Sequence, residues 1–490
     1  MARTPLFRFL CLGVLLSLLS PLSSSCASAA EPAPPGQAAA PAPKQPRKVI
    51  TLCGERLELM TRDEALALGF PWTDVPDDQN AATYYMQGAN LLYELPKPSD
   101  ADQKRLDDQR QYALDYGWQD SLKELSARID AAQPALALYR KGSAFKFHQG
   151  QYNVAVPIYV MMLPELPKAR DGAQLFTAEA ARFEARKQFS SAVDNYLTSL
   201  RIGLHVGSDH TIVNHLVGIA IEAVALHGAL YGIFREPYPR AELVRFAAEL
   251  QRLPATAPDF SRAMTGEKAF AVTMIDQSIP QGRKGISFLT WPYQLPGMMF
   301  PNRALTPLEE RAFRILLPER TLESEIGRVV FDEPIANAKR PIYEIPHSLD
   351  SDSDVELATR VKPWFRPMLI IVPAVTRVRV ETEKLRANLL MLRTAIALKL
   401  YHADHGSYPA ALDPLVKEKY LAALPIDPLT GKPFIYKEGD GQFVLHAGGQ
   451  PNPDTPPQPG LSYDADSYRF SFNSKLPEAR PYVPKPAEQK

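Results

Sequence analysis

Histidine can bind a metal or move a proton near neutral pH, and its spacing here is regular. His205, His210 and His215 recur every five residues. On a helix successive members stand about 140° apart and share no face. Helical zinc pairs sit three or four residues apart, so these three are expected to be capping or surface histidines. His402 and His405 bracket Asp404 just before Gly406. A cation there favours the negative end of a helix dipole. Capping is the expected role and metal binding the alternative. Asp350-Ser351-Asp352-Ser353-Asp354 starts like an EF-hand loop, but Val355 stands where that loop needs glycine. Val361 stands where it needs a bidentate glutamate, so a solvated acidic loop is expected. Glu309-Glu310 and Glu323/Glu325 fall on predicted polar helix faces rather than as acid–base pairs. Trp291 and Tyr293 could line a peptide or glycan groove, or fill a core. No Gly-x-Ser-x-Gly, His-Glu-x-x-His, P-loop or dinucleotide fingerprint occurs.

The elements that would position such residues begin behind an export signal. Arg3 and Arg8 precede an apolar core, Phe9 to Leu19, and Ala27-Ser28-Ala29 offers a cleavage site. The core is shorter than the roughly 20 residues a bilayer needs, so residues 1–29 read as a secretory signal peptide. A competing reading makes Cys26 a lipid acceptor, although Leu22 lies one position too far back for the usual pattern. Cleavage after Ala29 leaves Cys53 alone. One cysteine forms no intrachain disulfide, so the exported chain must be held by its core. The expected place is periplasmic or extracellular, with a membrane contact only if Cys26 is lipidated. Beyond the leader the best apolar run, Met368 to Val375, is short and contains Pro373. Lys plus Arg and Asp plus Glu both number 55, leaving no field to steer the chain toward nucleic acid or anionic lipid.

Residues 30–48 are Pro/Ala-rich and read as a semi-rigid spacer. Residues 49–278 read as a domain of helical hairpins. One helix is predicted over 81–95, and a second over 107–132 from Leu114, Trp118, Leu122, Leu125 and Ile129. Residues 172–206 look like a tetratricopeptide-type hairpin, with Ala178, Ala181 and Ala192 at the approach and Phe189, Tyr196 and Leu200 in the groove. The next helix, 212–234, is apolar on most faces and should be central. Helices over 239–253 and 259–277 continue the pattern. Residues 279–371 mix prolines and aromatics and read as an irregular bridge, and 475–490 as a disordered tail.

The last module, 372–474, is the most specific. A helix over 373–404 carries Leu385, Leu389, Leu392, Ile396 and Leu400 at spacings of three and four. Strands over 433–437 and 442–446 flank the turn Glu438-Gly439-Asp440-Gly441, and 467–472 alternates as a third strand. The expected fold is mainly α, a TPR-like body with a small C-terminal α+β module: one long helix on a three-stranded antiparallel sheet.

The turns Gly406-Ser407-Tyr408-Pro409 and Leu424-Pro425-Ile426-Asp427-Pro428, with Gly431 and the hairpin segment Phe434-Ile435-Tyr436, carry a resemblance. Residues 385–449 resemble the C-terminal part of the type II secretion major pseudopilin. The whole chain is similar to exported bacterial helical proteins of unassigned activity that carry such a module. The resemblance implies the fold of the last fifth of the chain. The family's leader, processing site and filament-packing half-helix have no counterpart here. It also implies a calcium loop, for which residues 448–467 offer Asp454, Asp464 and Asp466 among five prolines; calcium takes six to eight oxygens. The expected function is a non-catalytic extracytoplasmic scaffold for envelope or secreted proteins. The alternatives are an exported hydrolase with dispersed residues and a calcium-dependent binding module.

Overall fold

The computed structural model describes residues 46–154, 163–253, 260–278, 331–345, 375–449, 458–463, 469–478 and 480–483. The chain enters through an antiparallel hairpin, β1 (Val49–Leu52) and β2 (Glu55–Glu58). Cys53 and Gly54 turn it with φ of +50° and +83°, the left-handed pair that a two-residue turn demands. α1 (Arg62–Ala67) opens on a capping box between Thr61 and Glu64. α2 (Ala81–Glu94) is capped by Asn80 and α3 (Asp100–Tyr116) by Ser99; α4 is Lys123–Ser143. The single helix predicted over 107–132 is therefore two. Gly117 separates them with φ +87°, its N–H closing on the Ala113 carbonyl as a helix stop.

α5 (Glu165–Ala185) and α6 (Phe189–Gly207) form the hairpin predicted over 172–206, and its alanines and Tyr196 are buried. α7 (Ile212–Arg235) starts at Thr211, whose hydroxyl accepts from Asn214 N. Gly218 lets α7 meet α6 backbone to backbone, because a Cβ there would overlap the Gly207 main chain. By length and composition α7 could cross a bilayer, which a search for unbroken apolar runs overlooks. In this fold 67 % of its apolar window is buried, and it serves as the central helix. α8 (Arg240–Arg252), α9 (Phe260–Ser278) and the short α10 (Glu333–Asn337) follow. The described helices number twelve in all.

The last two are α11 (Val375–His405) and α12 (Asp413–Lys417). Beside them lies an antiparallel sheet of β3 (Ile435–Gly439), β4 (Gln442–Ala447), β5 (Gly460–Tyr463) and β6 (Phe470–Asn473), in the order β3-β4-β6-β5. The sheet has four strands, not three. β5 is too short for an alternation to register in sequence, yet it pairs with β6 through a Ser462–Ser471 hydroxyl contact of 2.8 Å. Asp440 and Gly441, both at positive φ, make the predicted tight turn.

The predicted stripe of α11 is buried, but so are Val380, Ala387, Met391, Ala395 and Leu398. These form a second apolar face on the opposite side of α11, and the helix packs on α7 and α8 through the side that carries Thr382, Arg393 and Lys399. One apolar cluster thus runs from α6, α7 and α8 through α11 into the sheet, where Phe234 stands against Phe443 and Phe472 at 5.5 and 5.3 Å. A second cluster joins α2–α5 with Ile202, Val206 and Ile221. Polar keys cross the joint. The Lys399 ammonium caps the Ile233 and Glu236 carbonyls at the end of α7, Arg240 forks onto Asp404 at 2.8 and 2.9 Å, and Leu461 N donates to the Tyr231 hydroxyl. Within the segment predicted as a tail, residues 480–482 lie along the end of α3.

Candidate functional site

The densest meeting of titratable side chains lies at the turn between α6 and α7. Ser208-Asp209-His210-Thr211 separates two apolar helices, so its polar groups must be answered inside the fold. The segment leaving α4 answers them. Asn80 clamps it by donating to Gln149 O at 2.9 Å and accepting from Gln149 N at 3.0 Å. The Gln149 amide oxygen then accepts from Thr73 N and from Arg262 of α9, both at 2.8 Å. Two glycines let the backbones close: a Cβ on Gly150 would strike the Asp209 carboxylate, and one on Gly266 the His210 carbonyl.

Inside this enclosure Asp209 is 2 % exposed and His210 1 %. Asp209 contacts the Nδ1 of His210 and lies 3.4 Å from that of His148. The His148 ring is parallel to His205 at 6.0 Å, and His205 Nδ1 shares a 2.7 Å hydrogen bond with the Tyr85 hydroxyl. Tyr152 packs its ring on His210 and donates to Pro71 O at 2.8 Å.

Burial alone would raise the Asp209 carboxyl, but facing His210, then His148 and Arg262, hold it below its ordinary value. Burial lowers His148, opposed by Asp209, and takes His205 down to about 3 with help from His148 and Arg201. Glu165, at the start of α5, and Glu267 of α9 are both pushed up to about 7 by burial. Glu267 still accepts from Ile212 N, at the positive end of α7. Tyr85, His148, Gln151, Glu165, Asp209 and Asn214 face a cavity of about 20 Å³ open to a water molecule's centre. That volume holds one water. The cluster can pass a proton between His148, Asp209 and such a water, and it has no room for an organic substrate.

A second buried carboxyl sits between α5 and α7. Glu184 accepts from the Tyr196 hydroxyl at 3.0 Å and the Tyr238 hydroxyl at 2.5 Å, yet burial raises it to about 7. Glu222, on α7, is raised well above its ordinary value by burial.

His205, His210 and His215 are not surface histidines. They fall on α6, the turn and α7, and the α9 and 145–153 segments cover them. His215 is fully buried, with Nδ1 donating to Gly207 O at 2.9 Å and Nε2 lying 2.8 Å from Thr382 Oγ1 of α11. His402 and His405 diverge, His402 against Tyr408 and His405 onto Glu418 at 2.8 Å. Among the described residues no three His, Cys, Asp or Glu side chains converge as metal ligands would. The calcium candidates Asp454, Asp464 and Asp466 lie outside the described residues. So do Asp350–Asp354, Trp291, Tyr293, Glu309, Glu310, Glu323, Glu325 and Cys26. Sequence reasoning missed His148, Gln149, Asp209 and Arg262. The polar quartet Ser208–Thr211 between two apolar helices was the available signal. Comparison with known proteins gives no match: no family model, no curated protein and no solved structure matches this chain.

Proposed function

We propose that this chain is a non-catalytic extracytoplasmic scaffold for envelope or secreted proteins. On this reading a TPR-like helical body carries a pseudopilin-like module as an internal structural part. The observation that supports it is the joint: α11 is buried on two faces and packs on α7 and α8, and one apolar cluster joins these helices to the sheet. Photo-crosslinking from the full chain in the cells that make it tests the reading, with the probe at exposed Phe147, Val244 or Tyr343. A discrete protein adduct at one position is expected; no adduct at any of the three would overturn the scaffold.

A further inference from the structure

We infer that the end of α3 is a peptide-binding notch for extended arginine–proline–aromatic segments, and that the chain's own Arg480-Pro481-Tyr482 occupies it in cis. Gln119 is the reader. Its amide nitrogen donates to Arg480 O at 3.2 Å, and its amide oxygen accepts from Tyr482 N at 3.1 Å. In an extended backbone the carbonyl of one residue and the N–H two residues on point to the same side. A side-chain amide, with a donor and an acceptor on one plane, matches that pair. The residue between them needs no N–H, and here it is proline.

Two tyrosines read the flanking side chains. The Arg480 guanidinium lies 5.0 Å above the Tyr116 ring and donates to its hydroxyl at 3.1 Å. Tyr482 stands edge-on to Tyr112 at 5.2 Å and 70°, and the Tyr112 hydroxyl donates to the Arg480 carbonyl. Main-chain bonds thus supply affinity and two ring contacts supply specificity, the division of labour in other extended-peptide sites.

The notch is built rather than incidental. Gly117 at φ +87° swings the chain so that Gln119 faces back over α3. Arg235 of α7 braces the bend by donating to Leu114 O at 2.9 Å, and its stem fills the space a Cβ on Gly117 would need. A tethered tail competes at high effective concentration, so a partner carrying the same motif must displace it. The tail is then a guard on the site.

The inference sharpens the scaffold reading without depending on it. Its failure would remove this notch and leave the crosslinking result untouched. The test is fluorescence polarisation with a labelled peptide of residues 478–484. The receptor is the full chain carrying Arg480→Ala and Tyr482→Ala, which removes both ring contacts and weakens the tail's hold on the notch. Binding at least tenfold tighter than to the native chain is expected. A further Gln119→Ala, or a peptide with the same two alanines, should cut it at least tenfold. No binding, or binding indifferent to Gln119, would overturn the inference. Should the tail variant fail to fold, hydrogen exchange on the native chain decides the matter. The Tyr482 amide should be protected, and Gln119→Ala should speed its exchange at least tenfold while α3 amides keep theirs. An unprotected Tyr482 amide would likewise overturn it.

Discussion

Replacing Glu184 by glutamine should reshape the pH dependence of stability in a way the geometry dictates. Glu184 is 1 % exposed, and glutamine keeps a carbonyl oxygen for Tyr196 and Tyr238 while removing the titration. In the native chain burial holds the carboxyl at about 7, against two tyrosine donors and Arg235 that pull it down. A carboxyl that titrates near 4.5 unfolded and about 7 folded contributes its full stability below the lower value. That contribution drains as pH rises toward the upper value and is gone above it. It amounts to roughly 3 kcal/mol in all, most of which disappears between pH 5 and pH 8. Urea unfolding followed by circular dichroism at pH 5, 6, 7 and 8 measures it as the difference between native chain and Glu184→Gln. That difference should move by roughly 2 to 3 kcal/mol in favour of the variant as pH rises, mostly below pH 7. A difference flat to within about 0.5 kcal/mol would mean that water reaches the carboxyl, and would refute the enclosed Tyr196–Glu184–Tyr238 arrangement.

Gly218→Ala should cost at least about 1–3 kcal/mol, because the new methyl meets the Gly207 main chain rather than a side chain that could turn away. A melting temperature within a degree of the native chain would contradict that packing. Asp427→Ala should cost on the order of 3 kcal/mol, since Leu429 N and Gly448 N lose the carboxylate they share with Thr430 Oγ1. Faster amide exchange at Gly448, with α2–α4 unchanged, is the accompanying sign; unchanged exchange there would refute the role given to Asp427.

The legible parts of the fold are those whose cause is local. Gly406 sits at φ +76° after α11, as its place before Ser-Tyr-Pro requires. Asp427 closes its turn by accepting from Leu429 N, with Gly431 at φ +69°. Tyr436 donates to Pro409 O at 2.8 Å and ties the two motifs together. Gly117 was equally local, and the periodicity of Leu114 to Ile129 overrode it because that pattern continues in phase across the break. The polar cluster was not legible for a different reason. His148, Asp209 and Arg262 are far apart in sequence and meet only because Gly150 and Gly266 permit close approach. The five-residue histidine spacing pointed to the right neighbourhood but to the wrong environment. An angular argument assumes one helix, and the turn at 208–211 breaks it.

The joint between body and module has a consequence for how the module can act. The carbonyls ending α7 are acceptors without helical partners, and Lys399 of α11 supplies the donor for Ile233 and Glu236. Burial lowers that ammonium to about 8, so it is poorly solvated where it stands and gains from those two acceptors. Separating the module would leave the α7 carbonyls without this donor. It would also expose the apolar residues of α11 that belong to one cluster with α7 and α8. A joint that answers polar and apolar demands together is not a hinge.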